Sequence, residues 1–194
     1  MKIKIIVFDI GGVLARETNV VPYICEKLNI TKFDFVKYAS VEGFKKIQTG
    51  EISMEEFWDH FQRKSELKVD EDLFESFFKP VIQDKTLEII KKLKEKYRVI
   101  AGTNTITPHY NFHKNRGDYD IFDEVYASHL MGFSKPDKEF YEKILEKENA
   151  SADDVVFIDD SKENIKGAKK LNIKSYLFVT PEKLEDDLKN DLIL

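Results

Sequence analysis

Short apolar runs alternate with amphipathic segments along most of the chain, and this alternation predicts strands that are separated by helices. The first run, residues 2–9 (KIKIIVFD), is rich in β-branched side chains and stops at Gly11-Gly12. A nearly continuous apolar run is typical of a strand that is buried on both faces of a parallel sheet. Four later runs of this kind bring the predicted strands to five: residues 98–103, 124–128, 155–159 and 175–179.

Amphipathic helices are predicted between these strands. Leu87, Ile90 and Leu93 recur at helical spacing behind Asp84, which we expect to cap the N-terminus of that helix. Further helices are predicted near Pro108, from Asp137, over residues 162–171 and from Thr180-Pro181. Strands that alternate with helices predict an α/β fold with a parallel sheet and right-handed crossovers.

Residues 16–82 interrupt the alternation directly after the first strand, since they contain helical patterns and no strand pattern. We therefore predict a small helical cap, residues 16–82, inserted into a core domain that consists of residues 1–15 and 83–194.

Two helices of the predicted cap have recognisable start signals. Ser53 and Glu56 have the spacing of a capping box. Asp70 is expected to cap a second helix, which Pro80 ends. The aromatic side chains of this segment, among them Trp58, are expected to form the cap's own core.

Composition narrows the possible function classes. The 194 residues include 31 basic and 36 acidic side chains, a net charge of -5, and only four of the basic residues are arginine. This balance argues against a nucleic-acid partner, which requires a basic surface. The apolar runs are too short to span a membrane, and Cys25 is the single cysteine, so no intrachain disulfide forms. We expect a soluble cytoplasmic protein, a monomer or weak homodimer, with no nucleic-acid or membrane partner.

Polar residues stand where ligands bind in open α/β sheets, beyond the carboxyl ends of the strands. They are Asp9, Thr103-Asn104, Lys135 and Asp159-Asp160. Taken singly, the first three fit an ordinary turn, a strand exit and a solvated lysine. Adjacent carboxylates behind a buried strand repel each other unless a cation or hydrogen-bond donors offset their charge. The four groups together indicate a functional site.

The segments that carry these residues resemble a known family. FDIGGVL, IAGTN, FSKPD and VFIDDSKENIKGA match, in this order, the four motifs of the haloacid dehalogenase superfamily. The stretch FKKIQTGEISMEEFW resembles the small helical cap of subfamily I, most of all in the bacterial glucose-1-phosphate phosphatase-like group of small sugar-phosphate phosphatases. The resemblance implies a Rossmann-like core with a parallel five-stranded sheet of order 5-4-1-2-3, flanked by helices.

The resemblance also implies a nucleophile and a metal site. Asp9 would attack the phosphorus and form an aspartyl-phosphate. Mg²⁺ would be held by Asp9, the backbone carbonyl of Gly11 and Asp160, because Mg²⁺ prefers oxygen ligands and keeps several waters. Asp159 would contact the metal through water or from outside its ligand set, and Asn164 would hold the metal-site loop.

Phosphate recognition is assigned in the same way. Thr103 and the backbone N–H of Asn104 would hold phosphate oxygens, and Lys135 would balance the charge of both the phosphate and the nucleophile. The expected activity is therefore Mg²⁺-dependent hydrolysis of a small phosphorylated metabolite, such as a sugar phosphate.

One position departs from the pattern of most phosphatases in the family. The second Asp, two residues after the nucleophile, protonates the leaving alcohol, and here that position is Gly11. Such acid–base catalysis is worth about 10²–10⁴-fold. Two alternatives therefore stay open: a haloacid dehalogenase-type hydrolase, whose halide leaves without protonation, and a catalytically weakened module that binds metal and phosphate. A phosphomutase is disfavoured because it relies on the same acid.

The histidines add little at this level. His109 and His113 share a helix face at a spacing that could hold zinc, but no third ligand is near in the sequence. His109 follows the second motif and could approach the mouth of the site.

Overall fold

The computed structural model describes residues 3–194, and its strands and helices alternate as the sequence predicts. The strands are β1 (Ile5–Phe8), β2 (Ala15–Arg16), β3 (Val81–Ile82), β4 (Arg98–Thr103), β5 (Val125–Ala127), β6 (Val155–Asp159) and β7 (Lys174–Leu177). The helices are α1 (Val21–Leu28), α2 (Lys32–Ala39), α3 (Val41–Thr49), α4 (Met54–Ser65), α5 (Leu73–Phe77), α6 (Asp84–Leu93), α7 (Thr107–Arg116), α8 (Ser128–Met131), α9 (Lys138–Lys147), α10 (Lys162–Lys170) and α11 (Pro181–Asn190), with a 3₁₀ turn at Ala152–Asp154.

The central sheet has five parallel strands in the order β5-β4-β1-β6-β7. The five predicted strands correspond, in chain order, to β1, β4, β5, β6 and β7. Their predicted spatial order, 5-4-1-2-3, is therefore the observed one, and two additional short strands change only the labels. The predicted strands end within two residues of the observed ends, as in residues 175–179 for Lys174–Leu177. The first strand is predicted from residue 2, which lies outside the described residues, and is observed from Ile5.

Burial explains why β1 is so apolar. Ile6 and Phe8 face a cluster that includes side chains of α6 and α11, and Ile5 and Val7 face a second cluster that includes side chains of α9 and α10. Successive residues of a strand point to opposite faces, so a strand covered on both faces needs apolar residues at every position. β1 lies at the centre of the sheet and places the residue that follows it, Asp9, at the middle of the carboxyl edge.

The five helices α1–α5 lie between β2 and β3 in the chain and share an aromatic core. Phe35, Phe57, Trp58, Phe61 and Phe74 pack in one buried cluster. The expectation that residues 16–82 contain no strand is wrong at both ends of the segment. β2 and β3 pair antiparallel where the chain leaves and re-enters the sheet region.

Two predicted helix caps are corrected by the structure. The Ser53–Glu56 capping box is confirmed. Asp70 is not the cap of α5, because Asp72 accepts hydrogen bonds from the N–H groups of Phe74 and Glu75. Asp72 also accepts a 3.1 Å hydrogen bond from the indole N–H of Trp58, a contact that selects it over its acidic neighbours.

The second corrected cap is at α6, where Asp84 is the first helical residue and Gln83 is the capping residue without a side-chain bond to the helix. The Gln83 amide instead donates to the carbonyl of Val13, which ties the start of α6 to the loop after β1. Within residues 3–194, no helix is long and apolar enough to cross a membrane.

Candidate active site

Asp9 and Lys135 meet at the centre of the carboxyl edge of the sheet. The Lys135 ammonium is buried and donates to three oxygens: Asp9 Oδ1 at 3.0 Å, Asp159 Oδ2 at 2.7 Å and the Gly102 carbonyl at 2.8 Å. Asp9 Oδ1 also accepts the N–H of Ile10 at 2.7 Å. A buried ammonium needs such partners, because the desolvation of a charge is costly. Both bonds to Asp9 involve Oδ1, so its other oxygen, Oδ2, is the one more available to contact a ligand.

Asp159 is fully buried at the end of β6 and is held by donors on every side. Besides the ammonium, it accepts from the Ser161 N–H at 2.8 Å and from the Asn164 side-chain amide at 2.9 Å. Asn164 lies in the first turn of α10, for which Ser161 is the N-cap. The structure thus shows a positioning contact between Asn164 and Asp159.

The Asp160 carboxylate approaches the loop after β1. Gly12 has a φ of +78°, and a Cβ built there would lie 2.0 Å from Asp160 Oδ2. Only glycine accommodates both the left-handed backbone and a carboxylate at this distance. Sequence reasoning missed Gly12 as a site residue, although the Gly11-Gly12 pair was a visible signal.

Asn104 fixes the loop that carries Lys135. Its side-chain amide donates to the Lys135 carbonyl at 2.8 Å and accepts the Lys135 N–H at 2.8 Å. Thr103 is buried at the end of β4, adjacent to β1 in the sheet. The Asn104 side chain therefore positions Lys135, and the phosphate role expected of its backbone N–H stays a prediction.

The electrostatics of the cluster follow from burial and from the crowding of carboxylates. Burial raises the pKa of Asp9 to about 7, with Lys135 lowering it and Asp159 raising it. Burial, and then the neighbouring Asp159, also raise the pKa of Asp160. Burial lowers the pKa of Lys135, but the two carboxylates outweigh this effect and the pKa is raised, so the ammonium stays charged.

The acidic residues form a plausible cation site. Asp9, Asp159 and Asp160 each offer one oxygen, and these oxygens lie within 4.8 Å of one another. Lys135 provides one positive charge for three carboxylates, so the cluster could hold a divalent cation that offsets the remaining charge. Carboxylate oxygens at such mutual distances suit Mg²⁺, which takes one or two carboxylates, waters and substrate oxygens. Asp159 already accepts hydrogen bonds from three donor groups, so Asp9 and Asp160 are the candidates for direct ligation.

A cavity of about 200 Å³ opens beside this centre. Ile10 and Gly11 line it directly after Asp9, and Asn104 lines it directly after Thr103. Helices α3, α5 and α7 cover it, so residues from the predicted cap and from the sheet region enclose it jointly. The backbone of Gly11, for which a metal-binding carbonyl is expected, therefore lies between the carboxylates and this cavity.

The two histidines of α7 have protein partners instead of a zinc site. Buried His113 bonds to Asp118 at 2.6 Å through Nδ1. The His109 Nε2 bonds to the Phe74 carbonyl at 3.2 Å, and its ring stacks on Phe78 with centroids 3.7 Å apart. Burial lowers the pKa of His109 to about 4, so the ring is neutral near pH 7. His109 lines the cavity, as the sequence suggested it could.

The chain is similar in sequence to known hydrolases. Residues 3–172 match the family model described as haloacid dehalogenase-like hydrolase. A D-ribitol-5-phosphate phosphatase of Bacteroides thetaiotaomicron is 28% identical over 191 residues, which cover 90% of this chain and 91% of that protein. The sesquiterpene phosphatase astK of Aspergillus oryzae is 27% identical over 171 residues, 84% of this chain and 83% of that one.

A solved structure shows the same likeness in three dimensions. It is a haloacid dehalogenase family enzyme of Bacteroides thetaiotaomicron in complex with magnesium and inorganic phosphate. The identity is 26%, the TM-score is 0.74, and the match covers 90% of this chain and 93% of that one.

Proposed function

The chain belongs to the haloacid dehalogenase-like hydrolase family, and from this premise we propose that it is a Mg²⁺-dependent phosphatase that hydrolyses a small phosphomonoester through Asp9. The observation that carries the proposal is the cluster of three carboxylates, Asp9, Asp159 and Asp160, beside the single buried ammonium of Lys135, which pairs with Asp9 and Asp159. Its relatives include two proteins named as phosphatases. The enzyme family predicted from the four motifs is the one that the comparisons support.

The reaction has two displacements at phosphorus. The free Oδ2 of Asp9 attacks the phosphorus of the ester, a P–O bond forms to the carboxylate, and the bond to the leaving alcohol breaks. Water then attacks the phosphorus of the aspartyl-phosphate. The P–O bond to Asp9 breaks, the phosphoryl group leaves with the oxygen of water as inorganic phosphate, and the Asp9 carboxylate is regenerated.

Charge stabilisation explains the rest of the cluster. The phosphoryl oxygens carry negative charge throughout, and Mg²⁺ bound at Asp9, Asp160 and the Gly11 carbonyl would neutralise it. Lys135 holds the nucleophile in place from the opposite side of its carboxylate and adds a second positive charge. Thr103 and the N–H of Asn104 bind the remaining oxygens. Asn164 and Asp159 keep Lys135 and the metal-site loop in position.

Protonation of the leaving oxygen has no side-chain donor at the usual place, since residue 11 is glycine. His109 lines the cavity but is neutral near pH 7, because burial lowers its pKa to about 4. We therefore assign the proton to water in the cavity. The turnover number is expected to depend strongly on the basicity of the leaving alcohol.

The division of labour between the two parts of the chain belongs to the same proposal. Residues 1–15 and 83–194 would form the core that carries the chemistry, and residues 16–82 the cap that covers the substrate. In support, helices α3 and α5 line the cavity beside Asp9. The same enclosure suits a small substrate.

The test is phosphate release from a panel of phosphomonoesters, measured with Mg²⁺ and with EDTA. We expect release with Mg²⁺, none with EDTA, and none from Asp9→Asn. Asp153→Asn is the matched control, because this Asp is exposed in the 3₁₀ turn and lies outside the cluster. Release that persists in Asp9→Asn would refute the proposed nucleophile.

Two further outcomes separate the alternatives. Chloride release from 2-haloacids in EDTA would support the dehalogenase alternative. That reaction would leave the cluster of three carboxylates unexplained. Binding of Mg²⁺ and phosphate without turnover of any ester would support a non-catalytic binding module.

A further inference from the structure

The cavity beside Asp9 has a lining that bears on the substrate, and this inference rests on the proposed phosphatase function. It begins at Ile10 and Gly11 and extends toward helices α3, α5 and α7. An ester whose phosphate lies at Asp9 would place its alcohol here. The chemistry of the wall therefore selects the alcohol.

Large apolar and aromatic side chains form about half of the wall. Its large apolar side chains are Ile10, Phe44, Ile47, Phe74, Phe78 and Ile106. Phe78 stacks face to face on the neutral His109 ring, with an interplanar angle of 10°. Within the described part of the chain, no Asp, Glu, Lys or Arg lines the cavity. The charged centre and the space for the alcohol are thus chemically distinct.

Most polar groups of the wall already have partners in the protein. Asn104 bonds twice to the backbone of Lys135, His113 bonds to Asp118, and the Thr105 hydroxyl bonds to the Ile106 carbonyl. Among polar side chains of the wall in residues 3–194, Thr18 and Gln48 are the ones left for a ligand, with one nitrogen of each histidine. A polyol brings several hydroxyls, and each buried one without a partner lowers affinity by about tenfold or more.

We propose that the leaving alcohol is small and apolar, either a branched chain of about five carbons or a single ring, and not a polyol. The size follows from the volume: an apolar cavity of about 150 Å³ binds benzene, and this one is about 200 Å³. The apolar surface supplies the binding energy, and one of the free polar groups, the Thr18 hydroxyl, lies beside Gly11 at the phosphate end.

The experiment compares esters whose leaving groups are all primary alcohols, so that differences in leaving-group basicity are small. Benzyl phosphate and 3-methylbutyl phosphate are the apolar members, and glycerol 3-phosphate and ribitol 5-phosphate are the polyol members. We expect kcat/KM to be at least about tenfold higher for the apolar pair, mainly through KM, since the gain is in binding. Polyol esters that are hydrolysed equally well or better would overturn the inference.

A pair of variants ties the preference to the cavity. Gln48→Leu removes one of the free polar groups of the wall, and Asn111→Leu makes the same kind of change on α7 outside the lining. Gln48→Leu is expected to raise the ratio of benzyl to ribitol ester hydrolysis about fivefold or more, whereas Asn111→Leu leaves this ratio unchanged. A ratio that falls in Gln48→Leu contradicts the assignment.

Binding of phosphonates, which are not hydrolysed, separates this inference from the proposed function. Calorimetry with Mg²⁺ present compares benzylphosphonate with 2,3-dihydroxypropylphosphonate. Tighter binding of benzylphosphonate by about tenfold supports the inference even if no ester is turned over, an outcome that defeats only the proposed function. Equal binding of the two phosphonates contradicts the apolar alcohol. If polyol esters are also hydrolysed at least as efficiently as benzyl phosphate, and this activity is lost in Asp9→Asn, the phosphatase function is supported and only the apolar alcohol is refuted.

Discussion

Replacement of Lys135 by methionine tests whether the buried carboxylates of Asp9 and Asp159 depend on one ammonium. The side chain of Lys135 is fully buried, as is that of Asp159, and the ammonium donates at 2.7 Å to Asp159 and at 3.0 Å to Asp9. Methionine has nearly the same shape and no charge. The variant therefore keeps the packing and leaves the carboxylates without their cation.

The magnitude follows from the burial of the pair. Removal of one partner of a buried ion pair costs about 3–5 kcal/mol, because the other charge stays desolvated. For a chain of this size, each 1 kcal/mol lowers Tm by about 2–4 °C, so the expected decrease is about 6–20 °C. Lys143→Met is the control: its pair with Glu146 spans 2.8 Å, but the two side chains are 37% and 69% exposed. An exposed pair contributes less than about 1 kcal/mol.

The assay is urea unfolding near neutral pH in EDTA, with both lysine variants measured beside the parent protein. A second substitution, Asp159→Asn, should return at least about 1 kcal/mol to Lys135→Met, since it removes the uncompensated charge. This double variant also provides a measurement if the single variant does not fold. A loss below about 1 kcal/mol in Lys135→Met, equal to that of the control, would refute the reasoning.

Three other perturbations test separate parts of the site. Saturating Mg²⁺ should raise Tm more near pH 8 than near pH 5.5. Burial raises the pKa of Asp9 to about 7, so without metal the stability that its proton provides is present at low pH and is lost as the pH rises through 7. The same proton competes with Mg²⁺ for the carboxylate, and equal Tm shifts at the two pH values would contradict this argument. Gly12→Ala should weaken Mg²⁺ binding in calorimetry by about tenfold or more, because its Cβ meets Asp160, whereas Gly132→Ala, with the same positive φ and open space around it, should bind Mg²⁺ as the parent does. Gly11→Asp should raise kcat for alkyl esters by about 10²-fold, because a Cβ there meets only Thr18, at 3.4 Å or more; an unchanged kcat would show that leaving-group protonation is not limiting.

Patterns within a few residues of each other were sufficient for most of the fold. The unbroken apolar runs of β1 and β6 require a cover on both faces, and that requirement already implies a parallel sheet with helices on both sides. The Ser53–Glu56 capping box is likewise confirmed, since both of its hydrogen bonds join residues three apart. Local periodicity and the four motifs together placed Asp9, Thr103, Lys135 and Asp160 near strand ends.

Choices between equivalent neighbours could not be made locally. Asp70 and Asp72 are both suitable helix caps by type, and the indole of Trp58, 14 positions away, selects Asp72. The pairing of β2 with β3 joins residues more than 60 positions apart, and each strand is only two residues long, so neither has a periodicity to detect. The same holds for Asn104, because no local pattern shows that its side chain bonds to the backbone of Lys135, 31 positions away.

The sequence by itself determined the chemical groups of this protein and their order along the chain. The residue types are given directly, and the position of each strand end follows from hydrophobic patterns over a few neighbouring residues. Only the tertiary structure decided which groups share partners. Lys135 bonds to both Asp9 and Asp159, Asn104 holds the Lys135 loop, and His113 in the cavity wall bonds to Asp118. These are contacts between distant segments, and their geometry exists only once the sheet has brought its carboxyl ends together.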